Sequence, residues 1–186
     1  MRLFLLAALL LATCQIHAQD AKKEAQEVKT KMDIFTSKTG IITKFVDYKL
    51  PPIKTSFGAS SETRIRKVSS GTIPPVYFYQ IEKESKYTTS VASIEYADLL
   101  EVIKAIASLK SEVDKDVASK SDYLENKFTT VDGFQVGYYV GADGAPKWYL
   151  KLSRYGSDQT LFVDGLSTIE TAFDGAKAKI DSVKGK

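Results

Sequence analysis

Apolar positions recur along this chain with two periods, and the switch from one to the other happens twice. Between Ile41 and Thr89 the pattern is that of strands. Ile41 to Leu50 is rich in β-branched and aromatic residues and is expected to stop at Pro51-Pro52, because proline cannot donate to a ladder. Thr63 to Val68 is closed by Ser69-Ser70-Gly71, Val76 to Ile81 follows Pro74-Pro75, and Tyr87 to Tyr96 makes a fourth, more polar run. The spacing then lengthens to three and four through Leu99, Val102, Ile103, Ile106, Leu109 and Val113, which predicts an amphipathic helix with Asp98 or Glu95 at its start. Leu99, Ile103 and Ile106 are expected to lie buried against a sheet. Ser111 to Asp122 reads as the solvated helix end and a linker.

The alternating pattern then resumes. Tyr123 to Val131 ends at the hairpin signal Asp132-Gly133, and Phe134, Val136, Tyr138 and Val140 alternate with Gln135, Gly137 and Tyr139. Trp148, Leu150 and Leu152 alternate with Tyr149, Lys151 and Ser153, and Gln159 to Val163 is a last short strand. Ser167-Thr168-Ile169-Glu170 reads as a capping box opening a helix with its stripe at Ile169, Ala172, Phe173, Ala176 and Ile180. Before all of this, Ala21, Ala25, Val28, Met32 and Phe35 form a thin helical stripe that predicts a peripheral N-terminal helix within residues 19–38, ahead of a single domain over 39–186.

The element order is four strands and a helix, twice over. This predicts an α+β fold of two antiparallel four-stranded sheets, each followed by a helix; an eight-stranded barrel or sandwich with a helix packed outside uses the same elements. The halves align at their ends, where Ile94, Leu99, Ala105 and Ile106 stand 67 residues before Leu161, Leu166, Ala172 and Phe173. Two such sheets, each followed by a helix, resemble the layout of the Pur-alpha and Whirly single-strand-binding proteins. The resemblance is one of element order, with no family motif in the residues, and it implies a nucleic-acid-binding module as an alternative function.

The N-terminus reads as an address. Arg2 precedes an unbroken apolar run from Leu3 to Ala12, too short for the roughly 20 residues a membrane-spanning helix needs, and Ile16-His17-Ala18 offers a cleavage site. Residues 1–18 are therefore expected to be a signal peptide and the protein to be exported, to a periplasm or secreted. Leu11-Ala12-Thr13-Cys14 gives a second reading, a lipoprotein anchored through Cys14, although Thr13 fits poorly before the cysteine.

Composition then narrows the chemistry. The 186 residues are 44% apolar and 26% charged, as in a globular domain, and 26 basic against 23 acidic side chains leave a net charge of +3. That mild basicity argues against nucleic acid, whose binding wants a basic surface. Cys14 and His17 are the chain's one cysteine and one histidine; cleavage after Ala18 removes both, and with them thiol or imidazole catalysis and zinc held by either. Four Asp-Gly pairs read as turns rather than calcium loops. Acidic pairs such as Glu82 with Glu84, or Glu125 with Asp132, sketch a carboxylate hydrolase as a further alternative. The chain thus reads as a non-enzymatic binding domain, calling for no cofactor or metal, for a small ligand, a glycan or a protein.

Tyrosine supplies the candidate site. If Trp148, Leu150 and Leu152 face the core, then Tyr139, Tyr149 and Lys151 share the opposite face, partly in water, with Tyr155 further along and Arg64, Arg66 and Lys147 able to join them. Tyrosines with basic neighbours make stacking and hydrogen-bonding platforms. On the export reading, the intact mass of the exported protein is expected to match residues 19–186; diacylglycerol on Cys14 would establish the lipoprotein instead.

Overall fold

The two periods resolve into two repeats of four strands and a helix in the computed structural model, which describes residues 29–57, 60–71, 73–85, 88–155 and 159–185. The signal-peptide residues, Cys14 and the first part of the expected N-terminal helix lie outside them. A short helix α1 (Lys31–Thr36) leads into β1 (Thr43–Lys54), β2 (Ser60–Ser70), β3 (Ile73–Glu84), β4 (Thr89–Glu95) and the long helix α2 (Tyr96–Ala118). The second repeat comprises β5 (Leu124–Thr129), β6 (Gln135–Val140), β7 (Pro146–Lys151), β8 (Thr160–Phe162) and α3 (Leu166–Val183). Each set of strands forms its own antiparallel sheet in chain order, so the barrel alternative is set aside. None of the helices among the described residues is long and apolar enough to cross a membrane.

The inner faces of both sheets and the stripes of α2 and α3 close one core. Neither helix stays with its own repeat. Helix α3, which leaves the second sheet, packs on β1 and β2 and on α2, while α2 lies against β3 and β4 of the first sheet and β5 and β6 of the second. Phe173 on α3 meets Tyr79 of β3 edge-to-face at 5.3 Å and Phe134 of the β5–β6 hairpin at 5.8 Å. The end of α2 is fastened to the second sheet by the Tyr138 hydroxyl, which donates to Asp116 at 2.6 Å. Burial and that carboxylate push the Tyr138 phenol up to about 12.

Several local signals resolve differently from their sequence reading. β1 runs through Pro51-Pro52, because it is an edge strand and its register shifts between Leu50 and Ile53, leaving the prolines no ladder bond to make. Ser167 does not cap α3: the helix starts one residue earlier, at Leu166, behind Gly165. A capping box does exist at α1, where Thr30 and Asp33 bond reciprocally. Asp98 sits inside the first turn of α2, where it accepts from Lys31 Nζ at 2.7 Å, and Glu95 is the N-cap residue without a side-chain bond. Of the Asp-Gly pairs, Gly133 and Gly144 take positive φ in turns, whereas Asp174-Gly175 lies within α3. On α2 the fully buried positions are Leu99, Val102, Ile106 and Leu109, and Ile103 is half-buried.

The outer faces of the two sheets differ. On the first, Val68 and Phe78 are buried although their register points them away from the core. The segment around α1 lies over this face, with Thr30, Met32 and Asp33 sharing a concavity with Arg64, Arg66 and Gln80. Lys31 straps it down by ion pairs to Glu95 and Asp98 and by its backbone N–H, which donates to Asp132 of the β5–β6 turn at 3.0 Å. Among the described residues, no such strap lies over the second sheet's outer face. Phe173→Ala is expected to cost about 3–5 kcal/mol in urea unfolding, since it empties a site shared by both sheets, and Val102→Asp is expected to be more damaging than Ile103→Asp.

Candidate functional site

The open face of the second sheet is built from three cross-strand rows. Glu125, Tyr139 and Lys147 stand opposite one another in the first; Lys127, Gly137, Tyr149 and Phe162 in the second; Thr129, Gln135, Lys151 and Thr160 in the third. All of these but Lys147, Gly137 and Thr129, together with Tyr123 at the edge, line a shallow concavity of about 270 Å³.

Tyr149 is its floor. Its partner on β6 is Gly137, which has no side chain, and its hydroxyl donates to Glu125 Oε1 on β5 at 2.5 Å. The ring must therefore lie across β6, since two strand spacings of roughly 4.8 Å separate β7 from β5. Gly137 cannot be replaced without displacing this arrangement, because a Cβ there would come within 2.5 Å of the Asn126 carbonyl oxygen and 2.7 Å of Lys127 Cβ. Only 5% of Tyr149 is exposed. The expectation that its ring would stand partly in water is thus corrected: the missing side chain at Gly137 lets the ring lie down. Tyr139 remains half-buried, as expected of this face.

Around the floor, aromatic rings follow one another at similar spacing. Phe57, from the β1–β2 connection, meets Phe162 edge-on at 6.2 Å; Phe162 meets Tyr139 at 6.2 Å and Tyr149 at 6.4 Å; Tyr139 stacks on Tyr123 at 6.1 Å. Phe57 is 82% exposed and Tyr123 63%. The Ser56 backbone N–H donates to the Phe162 carbonyl at 2.9 Å, so the first sheet's loop fixes one end of the strip.

The charges on this face are arranged by sign. Glu125 accepts from Tyr149 on one oxygen and pairs with Lys127 Nζ on the other at 2.9 Å. The Tyr149 hydroxyl first, and Lys127 after it, hold its carboxyl below the usual carboxylate range against the opposing effect of burial. Burial and the Glu125 charge in turn raise the Tyr149 phenol, which stays protonated as a donor. Lys147 pairs with Asp143 at 2.8 Å and lies 5.6 Å from the centre of the Tyr139 ring. Lys151 makes no ion pair with any described residue; it faces the concavity beside Gln135 and Thr160.

The structure separates the other sequence candidates from this group. Arg64 and Arg66 belong to the first sheet, where Arg66 binds Asp47 through two bonds of 2.7 and 2.6 Å and Arg64 bonds Gln80 at 2.8 Å and Glu82 at 2.6 Å. Both guanidiniums are paired with acids within the strapped face. Tyr155 is exposed in the turn beyond β7 and does not line the concavity. Of the acidic pairs, Glu82 holds Arg64 on the first sheet and Asp132 accepts from the Lys31 backbone, so neither joins Glu125 in the concavity. Sequence reading missed Tyr123, Phe162, Glu125 as a member of this face, and Phe57. The available signal was Gly137, a glycine in mid-strand opposite a tyrosine. A larger groove of about 490 Å³ lies between Leu50–Lys54 and the first half of α3, lined by aliphatic and hydroxyl side chains with Lys54 and Asp164 and without an aromatic ring.

No family model, no curated protein and no solved structure matches the chain.

Two outcomes follow from Tyr149. Tyr149→Ala and Trp148→Ala are both expected to lower stability by about 3 kcal/mol or more, and Tyr123→Ala to stay within about 0.5 kcal/mol. Because the folded pKa of Glu125 is depressed, its contribution is complete above the unfolded value of about 4.3 and is lost as pH falls through the lower folded value. Tyr149→Phe removes the main cause, so carboxyl NMR titration should find the Glu125 pKa raised toward the ordinary range; an unchanged value would refute the assignment.

Proposed function

We propose that this chain is an exported, non-enzymatic binding module whose ligand lies on the open face of the second sheet. The observation that carries the reading is the pinned Tyr149 floor, with exposed rings on either side and ionised groups of both signs fixed among them. A rigid aromatic surface with polar handles binds by stacking and by directed hydrogen bonds, at little cost in side-chain ordering. Export rests on Arg2, the apolar run to Ala12 and the cleavage site at Ala18.

Glu125 weighs against both alternatives. A carboxylate hydrolase needs an acid and an ionised carboxylate facing one another across the scissile bond, whereas Asp132, the acid sketched as the partner of Glu125, accepts from Lys31 in the β5–β6 turn and does not line the concavity. A single-strand nucleic-acid binder needs a basic track for phosphates beside its stacked bases, and an ionised Glu125 interrupts that track.

The test is a screen of glycans, peptides and oligonucleotides against the parent and Tyr123→Ala, with melting temperatures measured alongside. Ligands of this face should lose about tenfold or more in affinity in a variant that melts like the parent, the loss of one stacking contact. Ligands whose affinity ignores Tyr123 and Lys151 would place the function elsewhere.

A further inference from the structure

Resting on that reading of the face, we infer that its ligand is an acidic glycan, a chain of sugar rings bearing a carboxylate, with Lys151 as the carboxylate partner. Three features of the strip select this chemistry together. First, the rings from Phe57 through Phe162 and Tyr139 to Tyr123 succeed one another every 6.1 to 6.2 Å, which offers repeated apolar contacts to a linear polymer of rings. Second, Glu125, Gln135 and Thr160 stand among the rings. Glu125 is ionised and keeps lone pairs beyond those Tyr149 and Lys127 use, so it accepts from hydroxyl donors and repels any anionic group placed beside it, which selects a ligand with neutral hydroxylated rings there and its carboxylate elsewhere. Third, the cation at the far end is unspent: Lys127 and Lys147 pair with acids of this protein, while Lys151 pairs with none that is described.

The spacing separates the two kinds of contact. The backbone of Lys151 lies two cross-strand rows from those of Glu125 and Tyr139, about 13 Å along the strands, and its long side chain still brings its charge near enough to act on the Glu125 carboxyl. A ligand that stacks on the Tyr123–Tyr139 pair and reaches Lys151 with a carboxylate must therefore be longer than one ring, with its hydroxyls toward Glu125 and its charge displaced along the chain. A peptide would seek unpaired backbone groups at a strand edge or deep apolar pockets, and this face offers flat rings and polar side chains.

The measurement is calorimetric titration of the purified protein at physiological ionic strength with a linear oligoglucoside whose terminal ring alone is a uronate, with the same oligomer after that carboxyl is reduced to the neutral alcohol, and with oligothymidylate. The parent should bind the acid form about tenfold more tightly than the reduced form, the ordinary worth of a charge-assisted contact. Lys151→Gln should bind both forms alike, and Tyr123→Ala should weaken both. Equal binding of the acid and reduced forms by the parent, preference for oligothymidylate, or no binding of either glycan overturns the inference. If another probe then binds through Tyr123, the binding face stands and only its ligand class was wrong. If no probe depends on Tyr123 or Lys151, both readings fall.

Discussion

Everything in this fold depends on an exchange: each long helix covers apolar surface of the other repeat. A four-stranded antiparallel sheet with one apolar face needs a second layer before it is stable. Here α3 crosses to β1 and β2, α2 bridges both sheets, and Phe173 stands where the exchange meets, between Tyr79 and Phe134. The first repeat shares α2 with the second sheet, and the second gives α3 to β1 and β2. One continuous core joins them, so the two sheets are held in fixed relation although no ladder connects them.

With the inner faces committed to that core, difference between the repeats is left to the outer faces. The first is strapped by the segment that carries α1, through Lys31 and its partners Glu95, Asp98 and Asp132. Under it, arginines and acids neutralise one another in a closed network. The second face has aromatic rings where the first has arginines, and no described helix lies over it. A duplicated architecture thereby yields one face strapped by the α1 segment and one over which no described helix lies.

Much of this was legible in the sequence, and the failures share a cause. Strand and helix periods report which side of an element is apolar, so the element order, the burial of Trp148 and the shared face of Tyr139, Tyr149 and Lys151 could be read directly. Periodicity says nothing of which sheet a strand joins, so Arg64 and Arg66 could not be separated from the tyrosines until the eight strands divided into two sheets. Nor does it say what lies over an outward face. Tyr149 is outward and buried, because Gly137 makes room for its ring, and Phe78 is outward and buried because α1's segment covers it. Ile103 shows the same limit on a helix, where a stripe wider than the contact leaves its margin half-exposed. Pro51-Pro52 ended the strand in the sequence reading because its edge position was not yet visible.

The burial of Tyr149 bears on recognition as much as on stability. A tyrosine free to swing would have to be ordered by a ligand, at about 0.5–1.5 kcal/mol for each immobilised side chain. This one is already held, by Gly137 beneath it, Phe162 beside it and Glu125 at its hydroxyl. The same bond fixes Glu125 as an anion, and Lys127 balances it without leaving the surface. The ordering cost is thus met when the chain folds, by contacts that belong to the sheet itself. At the rim, Tyr123 is 63% exposed and Lys151 makes no ion pair with a described residue, so on the proposed binding function the floor would supply an already ordered surface and the rim the contacts that discriminate among ligands.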